Sequence, residues 1–487
     1  MRAPSPVGLL LAVLGLSGCA PEPTYDLVLA GGRVMDPASG LDSVRHVGIL
    51  GDSIAAISAS PLRGTQVVDV AGLVVAPGFI DLHAHGQTQG DMEIQARDGV
   101  TTALEMEAGV FPVAKWYASR AGKSPLNYGA TVGHRAVRVF VFHSGLEVGH
   151  GPTNPGATAG LGPLPAGANQ PATEAEIVAL EAALGRGLDE GALGVGFGVN
   201  YSPGATAEEI ERSFKVAADR GAAVFVHTRA FGIGAIREAI GAARAAGAGL
   251  HLAHIGSSSL GDISEALALL DSVRVTGQDV TTEVYPYTAG STRLESAMFN
   301  PGWQSNLRLD YGDLAWPLTG ERLTAASFER YRRQGGWVVI HMMKEANVAK
   351  AIAHPGIMIA SDGVPFVNET GHPRGAGTYA RILGRYVREN QALTLMDALA
   401  RMTILPARRL EARVPAMARK GRLAVGADAD ITIFDPATVA DRATFAEPTL
   451  RSAGIPHVLV NGTFVVRDGQ LVAKAIPGRP VRAPLKP

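Results

Sequence analysis

Residues 77–87 read Pro-Gly-Phe-Ile-Asp-Leu-His-Ala-His-Gly-Gln. A short apolar run opens after Pro-Gly and closes on His83 and His85, two positions apart. Side chains alternate along an extended chain, so both imidazoles leave one face and can share a metal ion. Barrel enzymes place reactive groups at the C-terminal ends of their strands, and a strand ending in two histidines fits that habit.

The flanking chain repeats the unit. Between about residues 77 and 410, short apolar runs alternate with Ala-rich helical stretches, the pattern of a parallel sheet or barrel. Eight strands are predicted: Phe79–His83, Thr101–Glu107, Arg138–Phe142, Ala192–Phe197, Ala222–His227, Gly249–His254, Val280–Tyr285 and Gly356–Ser361. Eight βα units make a (β/α)8 TIM barrel, an α/β fold. About seventy residues separate the last two strands, too many for one connection, so an inserted lid or subdomain is expected at about 293–350.

Both ends of the chain differ from this middle. Residues 25–76 and 411–480 carry short β signals punctuated by Gly-Gly, Asn-Gly and Asp-Gly turns. One small β-sandwich lobe assembled from both ends accounts for them. Residues 1–18 have the layout of a secretory signal, with Arg2 before an apolar run too short to span a bilayer. Residues 19–24 read as a tether, and the Gly/Pro-rich stretch 149–169 as a long loop.

Composition narrows the chemistry. The 487 residues carry 44 Lys+Arg against 45 Asp+Glu, which argues against nucleic acid as the main partner. The single cysteine excludes an intramolecular disulfide framework and a cysteine zinc finger. Histidines and carboxylates are left to act, and they cluster at strand ends: Glu105 and Glu107 on the second, His227 on the fifth, His254 on the sixth, Asp362 after the eighth. His254 is preferred over His251, which lies deeper in its strand. These groups suffice for a hydrolytic metal site in which an aspartate shuttles the proton.

With the flanking YDLVLAGGRVMDP and KGRLAVGADADITIFDP, the stretch PGFIDLHAHGQ resembles the metal-dependent amidohydrolase superfamily. GVTTALEMEAG, GALGVGFGVNYSPG, VFVHTR, LHLAHIGSS, EVYPYTAGST, IASDG and HPRGAGTYARILGRYVRE resemble its N-acyl-D-amino-acid deacylase (D-aminoacylase) branch. The resemblance implies zinc, one or two ions, with His83 and His85 at one position and His227 and His254 at the other. It implies Asp362 as general acid/base and a small N-acyl amino acid of D configuration as substrate. The branch has a metal-binding cysteine at the end of strand two where this chain has Ala108, so a glutamate must serve, Glu107 in preference to Glu105. For the substrate's α-carboxylate the resemblance implies Arg374 with Tyr285 or Tyr287, Ser291 and Thr292 adding hydrogen bonds. His143 is expected to line the pocket. Relatives often carry a lysine two residues after the strand-six histidine, where Gly256 stands here.

Leu16-Ser17-Gly18-Cys19 resembles the bacterial lipobox, which implies cleavage before Cys19 and lipid attachment to its thiol. The membrane would then be met through that anchor only, on the periplasmic face of the outer membrane. Two rival functions stand beside the deacylase: a dipeptidase or cyclic-amide hydrolase on the same metal site, and a solute-binding lipoprotein without turnover.

Overall fold

The computed structural model describes residues 23–143, 145 and 165–486. The signal segment, Cys19 and most of the 149–169 loop lie outside the described residues, as does the tether up to residue 22. No described helix is long and apolar enough to cross a membrane.

Eight parallel strands follow one another in chain order: Phe79–Asp81, Val100–Val110, Asn127–Gly133, Val195–Gly198, Val224–His227, Leu250–Leu252, Val280–Val284 and Met358–Ile359. The last returns to the first. Ala84 bridges Gly363 in parallel register, and the Ser361 amide donates to Asp81 Oδ1 at 3.0 Å. Apolar side chains fill the lower interior, with Ile80, Leu82, Leu104, Met106 and Phe225 meeting Leu410 and Met417 beneath the barrel.

The third strand corrects the sequence reading. Arg138–Phe142 lies in a helix, His134–Phe142, and the strand is Asn127–Gly133. The run Arg-Val-Phe-Val-Phe alternates over too short a span to separate strand from helix. The real strand is hidden by its glycines, which close approach demands. A Cβ on Gly129 would lie 2.5 Å from the Val481 carbonyl oxygen, and one on Gly133 2.3 Å from that of Ala108.

The chain between the seventh and eighth strands forms a three-stranded sheet, Ala289–Arg293, Leu314–Ala315 and Trp337–His341. It begins at Ala289, a few residues before the expected boundary at 293. Phe299, Trp303, Trp316 and Phe328 give it a core of its own. The lobe holds nine strands from both chain ends in one hydrogen-bonded sheet, in place of the two sheets of a simple sandwich. The sheet curls until its Ser53–Ser58 edge meets the segment that leads into the mid-sheet strand Ile431–Phe434: Ile54 donates to the Ala427 carbonyl at 2.9 Å, and Ala429 to that of Asp52 at 2.8 Å. Leu29, Val47, Ile431 and Leu459 pack inside the curl.

Candidate metal centre and substrate pocket

His83, His85, Glu107, His227, His254 and Asp362 converge on the C-terminal mouth of the barrel, all buried. Glu107 owes its position to an irregularity in the second strand. Pairing with the third strand breaks between Glu105 and Val110, and Gly109 takes a positive φ of 62°. Such a bulge re-aims side chains that strict alternation would fix. Glu105 and Glu107 therefore do different things. Glu105 accepts from His85 Nδ1 at 2.8 Å and from the Ala108 amide at 3.1 Å. Glu107 enters the cluster itself.

The donor atoms fall into two groups that share Glu107. His83 Nε2 lies 3.1 Å from His85 Nε2 and 3.1 Å from Glu107 Oε2, with Asp362 Oδ1 3.4 Å from each imidazole nitrogen. His254 Nε2 lies 3.1 Å from His227 Nδ1 and 3.0 Å from Glu107 Oε2, and His227 Nδ1 is 3.4 Å from Glu107 Oε1. Ligand atoms around tetrahedral zinc, at bond lengths of about 2.0–2.1 Å, stand about 3.3 Å apart.

Tautomers sharpen the fit. His83 Nδ1 faces Glu283 and His85 Nδ1 faces Glu105, each at 2.8 Å, so both imidazoles spend their N–H outward on a carboxylate. Their Nε2 lone pairs then point at one another and at the Glu107 carboxylate. Carboxylate–histidine pairs of this kind orient metal ligands, and the converging lone pairs call for a cation. The residues present fit a divalent metal with nitrogen and oxygen ligands.

Charges hold one another in place. Burial opposes ionisation of Glu107, but His227 and His83 outweigh it and hold the carboxyl well below its ordinary range. Burial likewise opposes charge on Asp362, and Arg374, then His83, keep that carboxyl low. Burial disfavours positive charge at His85, while Glu105 and Asp362 favour it, so the carboxylates around this imidazole welcome a cation at Nε2. His254 and Asp362 also occupy left-handed backbone, at φ 34° and 50°. Non-glycine residues rarely sit there, and such strain gathers at working sites. The His254 amide donates to Glu283 Oε1 at 3.0 Å, which pins one of the two.

Sequence reasoning missed Glu283, which binds the amide of His254 and the imidazoles of His83 and His251. A glutamate inside the predicted strand Val280–Tyr285 was the signal available. His251 itself packs behind the site on Thr281 and Glu283.

A cleft opens over the cluster, walled by Tyr201, Phe231, Met298 and Ile340 among others. Tyr285, Ser291 and Arg374 line it. Arg374 Nη1 lies 2.9 Å from Asp362 Oδ2, and its guanidinium sits 4.6 Å over the Tyr285 ring. The Nε of Arg374 and the Oγ of Ser291 are buried without a hydrogen-bond partner among the described residues. Buried donors are rarely left so, and here they face the cleft where an anion can be received. Two expectations fail. Tyr287 turns away, its hydroxyl 3.4 Å from Asp441 and its ring under Arg381, because the chain leaves the strand at Val284 and Pro286 breaks the alternation. His143 follows the helix that replaced the expected strand and is not among the cleft-lining residues.

Known proteins resemble this chain in sequence and fold. An N-acyl-D-glutamate deacylase from Alcaligenes xylosoxydans xylosoxydans is 35% identical over 485 residues, covering 90% of this chain and 93% of the relative. The crystal structure of N-acyl-D-glutamate deacylase from Bordetella bronchiseptica, complexed with zinc and a phosphonate inhibitor that mimics the tetrahedral intermediate, superposes with a TM-score of 0.78 at 30% identity. It covers 95% of this chain and all of its own, 100%. A D-aminoacylase structure concerned with a binuclear metal centre matches with a TM-score of 0.78 at 29% identity, covering 94% of this chain and 100% of that one. The amidohydrolase family model matches residues 66–466, so this chain belongs to the amidohydrolase family.

Proposed function

We propose that the protein hydrolyses the amide bond of N-acyl amino acids of D configuration, using metal held by His83, His85, Glu107, His227 and His254. The observation that carries this reading is the pair of donor groups sharing Glu107, set beside a buried arginine whose Nε awaits an acceptor. Relatives of 35% and 32% identity, an N-acyl-D-glutamate deacylase and a D-aminoacylase, support the reaction class.

A zinc ion in this donor set supplies Lewis acidity, which acidifies water and polarises an amide carbonyl. The chain's own groups do the rest. Arg374, with Ser291 and Tyr285 beside it, receives the substrate carboxylate and so fixes the amide over the donor cluster. Asp362 presents Oδ1 to the cluster while Arg374 restrains Oδ2. Held ionised, it accepts a proton from the attacking water and returns it to the leaving amine. Glu105 and Glu283 keep His85 and His83 in the tautomers the site needs.

Purified protein loaded with zinc should deacylate N-acetyl-D-amino acids and leave dipeptides and hydantoins intact. Turnover confined to dipeptides or cyclic amides would overturn the substrate assignment. We also propose lipid anchorage at Cys19 in a bacterial cell envelope, which rests on the Leu16–Cys19 motif behind an apolar run. Cys19→Ala should release the protein from the membrane fraction; unchanged membrane recovery would refute the anchor.

A further inference from the structure

The two donor groups that share Glu107 are backed differently. Behind His83 and His85 stand carboxylates: Glu283 faces His83 Nδ1 and Glu105 faces His85 Nδ1, each at 2.8 Å. Asp362 Oδ1 adds a further negative oxygen, 3.4 Å from both Nε2 atoms. Behind His254 stand two hydroxyls. Ser257 Oγ lies 2.9 Å and Ser258 Oγ 3.1 Å from its Nδ1. Each hydroxyl has a carbonyl to donate to, that of His254 for Ser257 and that of Ala253 for Ser258, both at 3.1 Å. Both oxygens are then left to accept from the Nδ1 N–H, and they accept it as neutral groups. His227 turns its Nδ1 to the cluster, and its ring packs on Tyr201 and Phe231, with ring centres 5.0 and 6.0 Å away. Among the described residues, Glu107 is the only carboxylate paired with either imidazole of this second group.

The difference is one of basicity and charge. An imidazole whose N–H rests on a carboxylate is a stronger metal donor than one whose N–H rests on a hydroxyl, and each such partner is worth about 10- to 100-fold in metal affinity. A dication held by His83 and His85 meets Glu107 and Asp362 in front and Glu105 and Glu283 behind, with Arg374 offsetting part of the Asp362 charge. One held by His227 and His254 meets Glu107, which it has to share. Two dications around one carboxylate also repel each other, and the weaker position carries that penalty.

We propose that the two metal positions are unequal and fill in order: His83, His85 and Glu107 take the first ion and keep it, and His227 and His254 hold a second, exchangeable one. This rests on the metal-binding part of the reading above and not on which substrate is cleaved.

The test titrates zinc into metal-stripped protein against a competing chelator and reads bound metal, not turnover. Wild type should show two steps at least about 100-fold apart in affinity. His227→Asn should keep the first step at its wild-type strength and lose the second, whereas His85→Asn should lose the tight step. Two gentler changes cover the case in which a ligand variant fails to fold. Glu105→Gln should weaken the first step about 10- to 100-fold, and the double variant Ser257→Ala, Ser258→Ala should weaken only the second. Two steps of equal affinity would overturn the proposal. So would a tight step that follows His227 and the two serines while ignoring His85 and Glu105. Protein that shows the ordered steps yet hydrolyses no N-acetyl-D-amino acid overturns the deacylase reading and leaves the order standing; a reversed order in protein that deacylates does the opposite.

Discussion

Two buried polar clusters occupy opposite ends of the barrel, and they are built on opposite plans. At the lower end, where Asn127 opens the third strand, Lys420 Nζ lies 2.7 Å from Asp430 and 2.8 Å from Asp428. Asp430 also accepts from Asn127 at 2.9 Å and from the Asn461 amide at 2.8 Å, while Asn461 donates to Asn127 at 2.8 Å. Every donor there faces an acceptor, and the network joins lobe to barrel. At the mouth, imidazole lone pairs and carboxylate oxygens crowd one another while Arg374 Nε and Ser291 Oγ find no partner among the described residues. Burial costs are settled within the protein at one end and left to a metal and a substrate at the other. A balanced cluster serves stability; an unbalanced one serves binding and catalysis.

That contrast can be broken at either end. Asp362→Asn should cost about 10²- to 10⁴-fold in kcat, the range of a general acid/base, while bound metal measured by atomic absorption is retained. Metal loss in step with activity would make Asp362 a ligand first. Lys420→Met should do the reverse. It takes the buried ammonium from Asp430 and leaves Asp428 with Arg419 alone, and should cost about 3–5 kcal/mol in denaturant unfolding, with kcat of the folded fraction unchanged.

Smaller effects separate neighbours within the mouth. Glu105→Gln should weaken zinc affinity about 10- to 100-fold, as loss of an orienting partner does, whereas Glu107→Gln should remove most of the bound metal. Equal losses in a zinc titration would erase the distinction drawn between the two glutamates. The smallest effect is a pH dependence at the lower end. Asp430 and Asp428 outweigh burial and raise the pKa of Lys420 above its ordinary 10.5. Its contribution is therefore complete below the unfolded value and lost as pH rises through the folded one. The stability gap between wild type and Lys420→Met should stay level from neutral pH to about 10 and narrow only above that.

The sequence carried the mouth better than its frame. His83 and His85 are legible because two-residue spacing places them on one face, and His227, His254 and Asp362 because each ends an apolar run. Glu105 and Glu107 share that spacing too, so alternation could not separate them; the bulge at Gly109, a tertiary fit against Gly133, does. The third strand escaped notice because Asn-Tyr-Gly-Ala-Thr-Val-Gly offers small side chains where neighbours press close, and those neighbours are distant in sequence. Tyr287 was misjudged by extending a strand's alternation past its end.

The central claim is that the mouth is a metal-dependent deacylase centre. It is met most directly by stripping the purified protein with chelator and adding zinc back in steps while following hydrolysis of N-acetyl-D-amino acids. The account predicts activity abolished by stripping and restored within the first one or two equivalents of zinc. Hydrolysis that survives stripping, or protein that takes up far less than one equivalent and stays inactive, would contradict it.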